Sequence, residues 1–329
     1  MGCHSMILPD YGFAKLCLGG STLGWSANLR NSIKILDVFY EKGGRLIDTS
    51  DFYSEWVPGN VGGESENFIG KWLSLNSGQV TPTIITKVGL SHKRKGFQTA
   101  NILFAAEDSL RRLKRDHIDI YMPHRDLDVI ERELWIEAMI KLYKAGKICS
   151  VGYSHCSAET IKRTSKILKA EGVPLSIVES NYNLLEFEEA GELIALTKSL
   201  GMQFMAARGL AGGFLSGKYH HSRSQKVRVL RGTLSHFRTR GLLAFQKSYR
   251  SSMNSASVSR YMNSQNTHKI EKIRSIARIY KVNPSSVVFS WLVMQSGVDF
   301  ACISFRNEFQ ARSLNLIPLT TQELKDLSD

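Results

Sequence analysis

Short apolar runs alternate with amphipathic segments along almost the whole chain. Runs of this kind are typical of strands buried on both faces, and the segments between them carry apolar residues at helical spacing. The predicted strands lie at 16–20, 45–48, 83–87, 118–123, 149–153, 176–179, 203–207 and 299–304. Because strands and helices alternate without a linker, the pattern predicts an α/β fold, a single (β/α)8 or TIM barrel over residues 1–329.

The segments between the strands show the apolar stripe of a helix packed on one side. Two of them also carry helix-start signals, Asn283 before Pro284 and the capping box from Thr320 to Glu323. One further helix is predicted to begin after each signal. The other predicted helices lie at 31–42, 64–75, 100–114, 134–145, 158–170, 190–200 and 269–280.

Polar side chains stand where three consecutive predicted strands end. Asp48 closes one strand, and Tyr53 follows it in the loop. Lys87 closes the next strand, and His124 follows the third. In a parallel barrel these ends form one rim, where such folds carry out their chemistry. We therefore expect the four side chains to meet there.

The four side chains suit proton transfer to a carbonyl group. A buried carboxylate such as Asp48 needs a cation, which Lys87 supplies. We expect this ammonium to lower the pKa of Tyr53 from its usual value of about 10. Tyr53 would donate a proton to a carbonyl oxygen as hydride reaches the carbon, and His124 would orient that oxygen. Taken singly, Asp48 has the alternative interpretation of a turn residue, and Tyr53 that of a wall residue.

The chain resembles an aldo-keto reductase from about Leu16 to Asp329. The resemblance implies a (β/α)8 barrel that uses NADPH to reduce carbonyls, with a catalytic tetrad of Asp48, Tyr53, Lys87 and His124. No metal is implied. The motifs that carry the likeness are Leu46-Ile47-Asp48-Thr49 with Tyr53, Gly62-Gly63-Glu64-Ser65-Glu66, Ile85-Thr86-Lys87, Ile118-Asp119-Ile120-Tyr121, Val151-Gly152-Tyr153-Ser154, Tyr182-Asn183-Leu184 and Gly213-Phe214-Leu215-Ser216-Gly217-Lys218-Tyr219.

The resemblance also implies where the cofactor binds, and here the sequence departs from the family. The family holds the nicotinamide amide with Ser-Asn after the fifth strand and Gln on the sixth, whereas this chain has Ser154, His155 and Glu179. An ionised Glu179 accepts from the amide nitrogen but cannot donate to its oxygen. After the seventh strand, Ala207 and Arg208 replace an aromatic residue. Arg208 is expected to stack on the nicotinamide or to pair with Glu179.

Other implied cofactor contacts are Leu210, Gly212 and Lys218 after the seventh strand, with Ser304 and Arg306 after the eighth. A guanidinium matches phosphate oxygens, so Arg306 is a candidate contact for the 2′-phosphate of NADPH. The alternative interpretation of Arg306 is an exposed arginine at a helix start. The Pro-Gly turn and the later Glu-Asn pair of the family are missing here, which weakens the match at the adenosine.

Positive charge is concentrated in one segment. The formal net charge is +13, and residues 218–281 hold fifteen Lys or Arg against one acid, Glu271. Regular apolar spacing fails at about 220–267, which predicts a long basic loop. It is open whether this loop is a solvated surface, a cover for the cofactor pyrophosphate as the resemblance implies, or a nucleic-acid-binding surface. The sequence carries no nucleic-acid-binding motif, so we expect no nucleic-acid partner.

The composition is that of a soluble globular protein, with 43% hydrophobic and 22% charged residues. No apolar run approaches the ~18–20 residues that span a bilayer, and the N-terminus lacks a signal-peptide core. These features predict a cytoplasmic protein without a membrane partner. The five cysteines show no metal-ligand spacing and are expected to be reduced thiols.

Together these features favour an NADPH-dependent reductase of an aldehyde, ketone or keto-sugar, with Trp25, Trp56 and Tyr153 as candidate pocket walls. Neither its substrate nor its oligomeric state follows from the sequence. The alternative is an NADP(H)-binding regulatory or sensor module on the same barrel, comparable to the potassium-channel β subunits. The altered cofactor residues favour this alternative, whereas the intact tetrad favours the enzyme.

Overall fold

Eight parallel strands close into a barrel, each pairing with its neighbours in the chain and the first with the last. The computed structural model describes residues 12–219 and 258–329. The predicted (β/α)8 TIM barrel is confirmed. The strands are β1 (Leu16–Gly19), β2 (Leu46–Asp48), β3 (Thr83–Val88), β4 (Ile118–Pro123), β5 (Ile148–Ser154), β6 (Leu175–Asn181), β7 (Gln203–Ala207) and β8 (Phe300–Ile303).

Helices surround the barrel and begin at side-chain caps in most cases. Asn28, Asp128, Ser157 and Asn283 each accept a hydrogen bond from a backbone N–H of the following turn. The helices are α1 (Leu29–Glu41), α2 (Glu64–Leu75), α3 (Thr99–Leu113), α4 (Val129–Lys144), α5 (Ala158–Ala170), α6 (Gly191–Ser199), α7 (Ser264–Ile279), α8 (Pro284–Met294), α9 (Glu308–Ser313) and α10 (Thr321–Ser328). The capping box at Thr320 and Glu323 is confirmed.

Two predicted boundaries are wrong. Helix α4 begins at Val129 rather than at 134, because Asp128 caps it and accepts from Glu131 N. The basic loop ends before 267, since Asn263 caps α7 and accepts from Asn266 N. Residues 220–257 lie outside the described part of the chain.

The core has two layers that fix the strand ends in place. Eight side chains fill the inside of the barrel, and a larger apolar cluster packs the strands against the helices. Because all strands are parallel, their C-terminal ends share one mouth. The barrel interior consists of Cys17, Leu46, Ile85, Ile120, Met122, Ile177, Met205 and Phe300.

No helix found within residues 12–219 or 258–329 combines the length and the apolar character that a membrane span requires. The cysteines of these two segments, Cys17, Cys149, Cys156 and Cys302, form no disulfide. Cys3 lies outside them.

Candidate active site

Asp48, Tyr53 and Lys87 meet at the bottom of the barrel mouth. The Lys87 ammonium donates to Asp48 Oδ1 and, at 3.2 Å, to Tyr53 Oη. Tyr53 Oη in turn donates to Asp48 Oδ2 at 3.1 Å. The parallel register of β2 with β3 holds Asp48 beside Ile85, so the two strand ends deliver the carboxylate and the ammonium to one place. Both side chains are only 1% exposed, which protects their ion pair from water.

His124 completes the group that the sequence predicts. Its backbone N–H donates to the Val88 carbonyl at 3.1 Å, which holds it beyond β4. The ring stands edge-on to Tyr53 with centroids 5.3 Å apart. Its Nδ1 lies 2.9 Å from Ser50 Oγ, so Nε2 is the ring nitrogen left for a ligand. The structure thus brings all four predicted side chains together.

The pKa of Tyr53 differs from the sequence prediction. Burial raises it well above its usual value, Asp48 raises it further, and Lys87 opposes both without reversing them. Lys87 lowers the pKa of Tyr53 as predicted, but the predicted net direction of the shift is wrong. The reason is that the sequence does not show how completely the phenol is buried. Tyr53 keeps its proton over the physiological pH range.

Lys87 and His124 are held in opposite protonation states. Burial lowers the pKa of Lys87, but the carboxylates of Asp48 and then Glu179 outweigh this, and the pKa is raised well above its usual value. Burial lowers the pKa of His124 well below its usual value, with a further contribution from the Lys87 charge. The site therefore presents a fixed cation and a neutral imidazole.

Glu179 is a second carboxylate on the same ammonium. Its Oε2 lies 3.0 Å from Lys87 Nζ and accepts from Ser154 Oγ at 3.4 Å. The predicted pairing with Arg208 is wrong, because Glu179 points into the barrel while Arg208 is exposed beyond β7. We call Asp48, Tyr53, Lys87 and Glu179 the polar floor. Burial and Glu179 together raise the pKa of Asp48 to about 7, although Lys87 opposes them.

Ser154 and His155 stand at the end of β5, beside the polar floor. Ser154 is fully buried, whereas the His155 side chain is exposed. The backbone of His155 has a φ of +53° and its N–H donates to the Glu179 carbonyl at 2.8 Å. This bond joins the ends of β5 and β6, so that both residues border the mouth of the barrel.

The loop after β7 folds tightly along the rim. Arg208 has a φ of +57°, and the glycines that follow at 212 and 213 have φ of +68° and +93°. Ala207 is buried at the strand end and Leu210 is half-buried. A side chain at Gly213 would come within 2.8 Å of Lys218 Nζ. The glycines thus let the backbone and Lys218 approach the same space closely.

Lys218 and Arg306, which we call the cationic pair, lie where the loops after β7 and β8 meet. Burial and then the charge of Arg306 lower the pKa of Lys218 to about 8. Neither side chain forms an ion pair with a carboxylate of residues 12–219 or 258–329. Ser304, beside them, donates its Oγ to the Gly19 carbonyl at 2.8 Å. Two adjacent cations without an acid partner suit a phosphorylated ligand, so these residues fit a phosphorylated dinucleotide.

A family comparison agrees with this geometry. The model of the "Aldo/keto reductase family" matches residues 15–329. The chain belongs to the aldo/keto reductase family. Members of this family are oxidoreductases that generally use NAD(P)H.

Several curated relatives of this aldo/keto reductase carry names of related enzymes at low identity. An aryl-alcohol dehydrogenase of Pestalotiopsis microspora is 26% identical over 61% of this chain and 56% of that protein. The aldo-keto reductase YhdN of Bacillus subtilis is 26% identical over 94% of this chain and 86% of its own length. Aflatoxin B1 aldehyde reductase member 2 of Mus musculus is 28% identical over 62% of this chain and 54% of that protein. Some of these alignments thus cover only about half of the relative.

Aromatic side chains border Tyr53 on one side. Trp56 stands 6.3 Å from the Tyr53 ring and 5.7 Å from Trp25, so both predicted tryptophan walls lie at the site. Tyr153 does not, because it is fully buried against Trp135 at 5.1 Å. The prediction of Tyr153 as a pocket wall is therefore wrong.

Two residues between Asp48 and Tyr53 escaped the sequence analysis. Ser50 contacts His124, as described above, and Phe52 stands 6.1 Å from the His124 ring and 5.4 Å from Trp56. Their position in the loop that joins two predicted site residues was the available signal. Ser50 fixes the imidazole, and Phe52 adds to the aromatic wall.

Proposed function

We propose that this aldo/keto reductase is an NADPH-dependent enzyme that transfers a hydride to an aldehyde, ketone or keto-sugar carbonyl, with Tyr53 as the general acid. We also infer that residues 1–329 form a single domain of this kind. The observation that carries the proposal is the position of Tyr53 Oη, which contacts both Lys87 and Asp48 at the bottom of the mouth. A phenol with a raised pKa is present as the acid.

In this proposal each polar side chain has one task. Tyr53 donates its proton to the carbonyl oxygen as negative charge develops there, and the Lys87 cation stabilises that charge. Neutral His124, whose Nδ1 lies 2.9 Å from Ser50 Oγ, would donate from Nε2 to the same oxygen and orient it. Asp48 holds Lys87 in place. A bound reduced nicotinamide dinucleotide would supply the hydride.

The dinucleotide would lie along the rim. Lys218 and Arg306 would hold its 2′-phosphate, since the cationic pair has no acid partner in the described part of the chain. The tight loop with Ala207, Arg208, Leu210 and Gly212 would carry the pyrophosphate, and Ser304 would assist from β8. The nicotinamide end would meet Ser154, His155 and Glu179 near the polar floor.

An aromatic carbonyl is the substrate class that the walls favour. Phe52 stands beside His124, Trp56 stands beside Tyr53, and Trp25 packs edge-on against Trp56. Apolar walls with a few convergent polar groups are typical of small-molecule sites. The name of the fungal relative mentions an aryl alcohol, which supports the same class, and that of the mouse relative mentions aflatoxin B1 aldehyde.

The test begins with a fluorescence titration of the purified chain with NADPH. NADPH oxidation is then followed at 340 nm with a panel of aromatic aldehydes, aliphatic ketones and keto-sugars. Binding with turnover of at least one aromatic aldehyde supports the proposal. Binding without turnover on the whole panel would favour the sensor module instead, and the absence of binding would contradict both.

A further inference from the structure

The polar floor holds more negative than positive charge. Lys87 lies between Asp48 and Glu179, and all three side chains are nearly inaccessible, with exposures of 1%, 1% and 6%. No other lysine or arginine of residues 12–219 or 258–329 forms an ion pair with either carboxylate. With both carboxylates ionised, the cluster carries one net negative charge. The glutamine that the family resemblance implies at position 179 would leave it neutral.

The two carboxylates change charge together near neutral pH. The pKa of Asp48 is about 7, whereas Lys87 and then His155 lower the pKa of Glu179 against the effect of burial. The pair therefore binds one shared proton below about pH 7 and loses it above. Tyr53 remains protonated and His124 remains neutral in this range. The other titratable groups beside the cluster are Cys17, His155 and Cys302, and the exposed Arg208 acts on His155.

A fixed negative charge here distinguishes the two redox forms of a nicotinamide. The reduced ring is neutral and the oxidised ring is a cation, so a buried carboxylate favours the oxidised form. In the proposed function the ring would react beside Tyr53, because Tyr53 would donate its proton to the carbonyl oxygen. Lys87 Nζ lies 3.2 Å from Tyr53 Oη and 3.0 Å from Glu179 Oε2, so the carboxylate is within electrostatic reach of the reacting groups.

We propose that Glu179 is a specificity-determining residue that makes the site bind NADP⁺ more tightly than NADPH and thereby makes the bound NADPH a stronger hydride donor. The proposal rests on the function proposed above. In the favoured direction a C4–H bond of NADPH would break and its electron pair would pass as hydride to the carbonyl carbon, giving NADP⁺. The π electrons of the carbonyl would move to its oxygen, which would take the proton of Tyr53 Oη. Lys87 Nζ, 3.2 Å from that oxygen of Tyr53, would stabilise the resulting phenolate until it regains a proton from solvent.

The experiment measures the Kd of NADPH and of NADP⁺ for the full chain at pH 8.5. The wild type is compared with Glu179→Gln, which keeps the side-chain shape and removes the charge. We expect the ratio of the NADPH Kd to the NADP⁺ Kd to fall about tenfold, equivalent to ~30 mV in the potential of the bound couple. Glu137→Gln, an exchange of an exposed glutamate on α4, serves as the control and should leave the ratio unchanged.

The pH dependence of the wild type supplies a second readout that needs no variant. As the carboxylate pair loses its shared proton, the ratio should rise several-fold from pH 6 to pH 8.5 and should stay flat in Glu179→Gln. The 2′-phosphate titrates in both cofactor forms and cancels in the ratio. The role of Glu179 would be overturned, and the proposed function left standing, by two results together. The ratio of the NADPH Kd to the NADP⁺ Kd would differ by less than twofold between the wild type and Glu179→Gln, and the wild-type ratio would not change with pH. Failure of the wild type to bind either form would overturn the proposed function as well.

Discussion

The polar floor and the cationic pair differ in where their charged groups find partners. In the floor, Lys87 contacts Asp48, Tyr53 and Glu179, so its charge is balanced within the protein. In the cationic pair, burial and then the charge of Arg306 lower the pKa of Lys218. The charge of Lys87 is thus paired within the protein, whereas the cationic pair has no carboxylate partner within residues 12–219 and 258–329.

The difference follows from the elements that carry each region. Asp48, Lys87 and Glu179 stand on strands whose register is fixed by paired backbones on both sides. Lys218 and Arg306 stand on the loops after β7 and β8. Strand ends hold reacting groups in fixed positions, and loops supply binding groups that a ligand organises. We therefore expect mutations of Asp48, Tyr53 and Lys87 to affect turnover and mutations in the cationic pair to affect cofactor affinity, while Glu179 affects the relative affinity for the two redox forms.

The largest effect is expected from Tyr53→Phe, which removes the acid from the floor. Turnover of an aromatic aldehyde should fall by about 10²–10⁴-fold, the usual contribution of general acid catalysis, while the Kd of NADPH stays within a few-fold. Steady-state rates and fluorescence titration measure the two quantities. Tyr153→Phe is the matched control, because its buried hydroxyl has no hydrogen-bond partner within the described residues. Comparable losses in both variants would contradict the role of Tyr53.

The next largest effect is expected from Lys218→Met or Arg306→Met, which removes half of the cationic pair. Each should weaken NADPH binding by about tenfold or more, since a hydrogen bond to a charged group contributes ~1.5–3 kcal/mol. Binding of NADH, which lacks the 2′-phosphate, should change little, and kcat should remain. Lys198→Met on α6 is the control, because this lysine is exposed. An equal loss for NADH would show that the pair does not contact the 2′-phosphate.

A smaller effect is expected from pH. The pKa of Lys218 is about 8, so its charge in the free protein is lost as the pH rises through this value. Binding of the phosphate then requires uptake of a proton. The preference for NADPH over NADH should therefore decrease several-fold from pH 7 to pH 9, as measured by the two Kd values. The same decrease in Lys218→Met would assign the effect to another group.

The smallest effect is expected behind the floor, at Asp51. Its Oδ2 is buried without a hydrogen-bond partner in the described part of the chain, and burial, with Glu66, raises its pKa to about 8. The folded pKa exceeds the unfolded value of about 3.9, so this group's contribution to stability is lost as the pH rises from ~4 to ~8. Asp51→Asn should be more stable than the wild type at pH 8 by about 1 kcal/mol.

Urea unfolding at pH 5 and pH 8 measures that difference. Asp116→Asn is the control, since this side chain is 93% exposed. The gain in stability of Asp51→Asn over the wild type should be present at pH 8 and small at pH 5, where the Asp51 carboxyl of the folded wild type is protonated. Equal stability of the variant and the wild type at both values would contradict the shifted pKa of Asp51.

Features that depend on the residues of a single strand could be predicted from the sequence. Asp48, Lys87 and His124 each stand at the end of an apolar run, and parallel strands bring such ends together, so the group could be located before the structure. The pairing of Glu179 with Lys87 could not be predicted, because β6 and β3 are not neighbours and the contact crosses the barrel. The distance between these two side chains depends on how the barrel closes.

Besides the contact across the barrel, the degree of burial of each side chain could not be predicted from the sequence. Tyr153 and Tyr53 both read as amphipathic residues near the mouth, yet Tyr153 packs into the core against Trp135. For Tyr53, burial outweighs the charge of Lys87 and reverses the predicted direction of the pKa shift. Pairwise chemistry could be foreseen from residue types, whereas desolvation depends on all neighbouring side chains together.

The central claim, hydride transfer to a carbonyl at Tyr53, is tested most directly with NADPH deuterated at both C4 positions. The wild type is incubated with an aromatic aldehyde that the panel identifies as a substrate, and the product is examined by mass spectrometry and NMR. We predict an alcohol with one deuterium at the carbinol carbon and one NADP⁺ formed per alcohol. An alcohol without deuterium at that carbon, or NADPH oxidation without alcohol, would contradict the account.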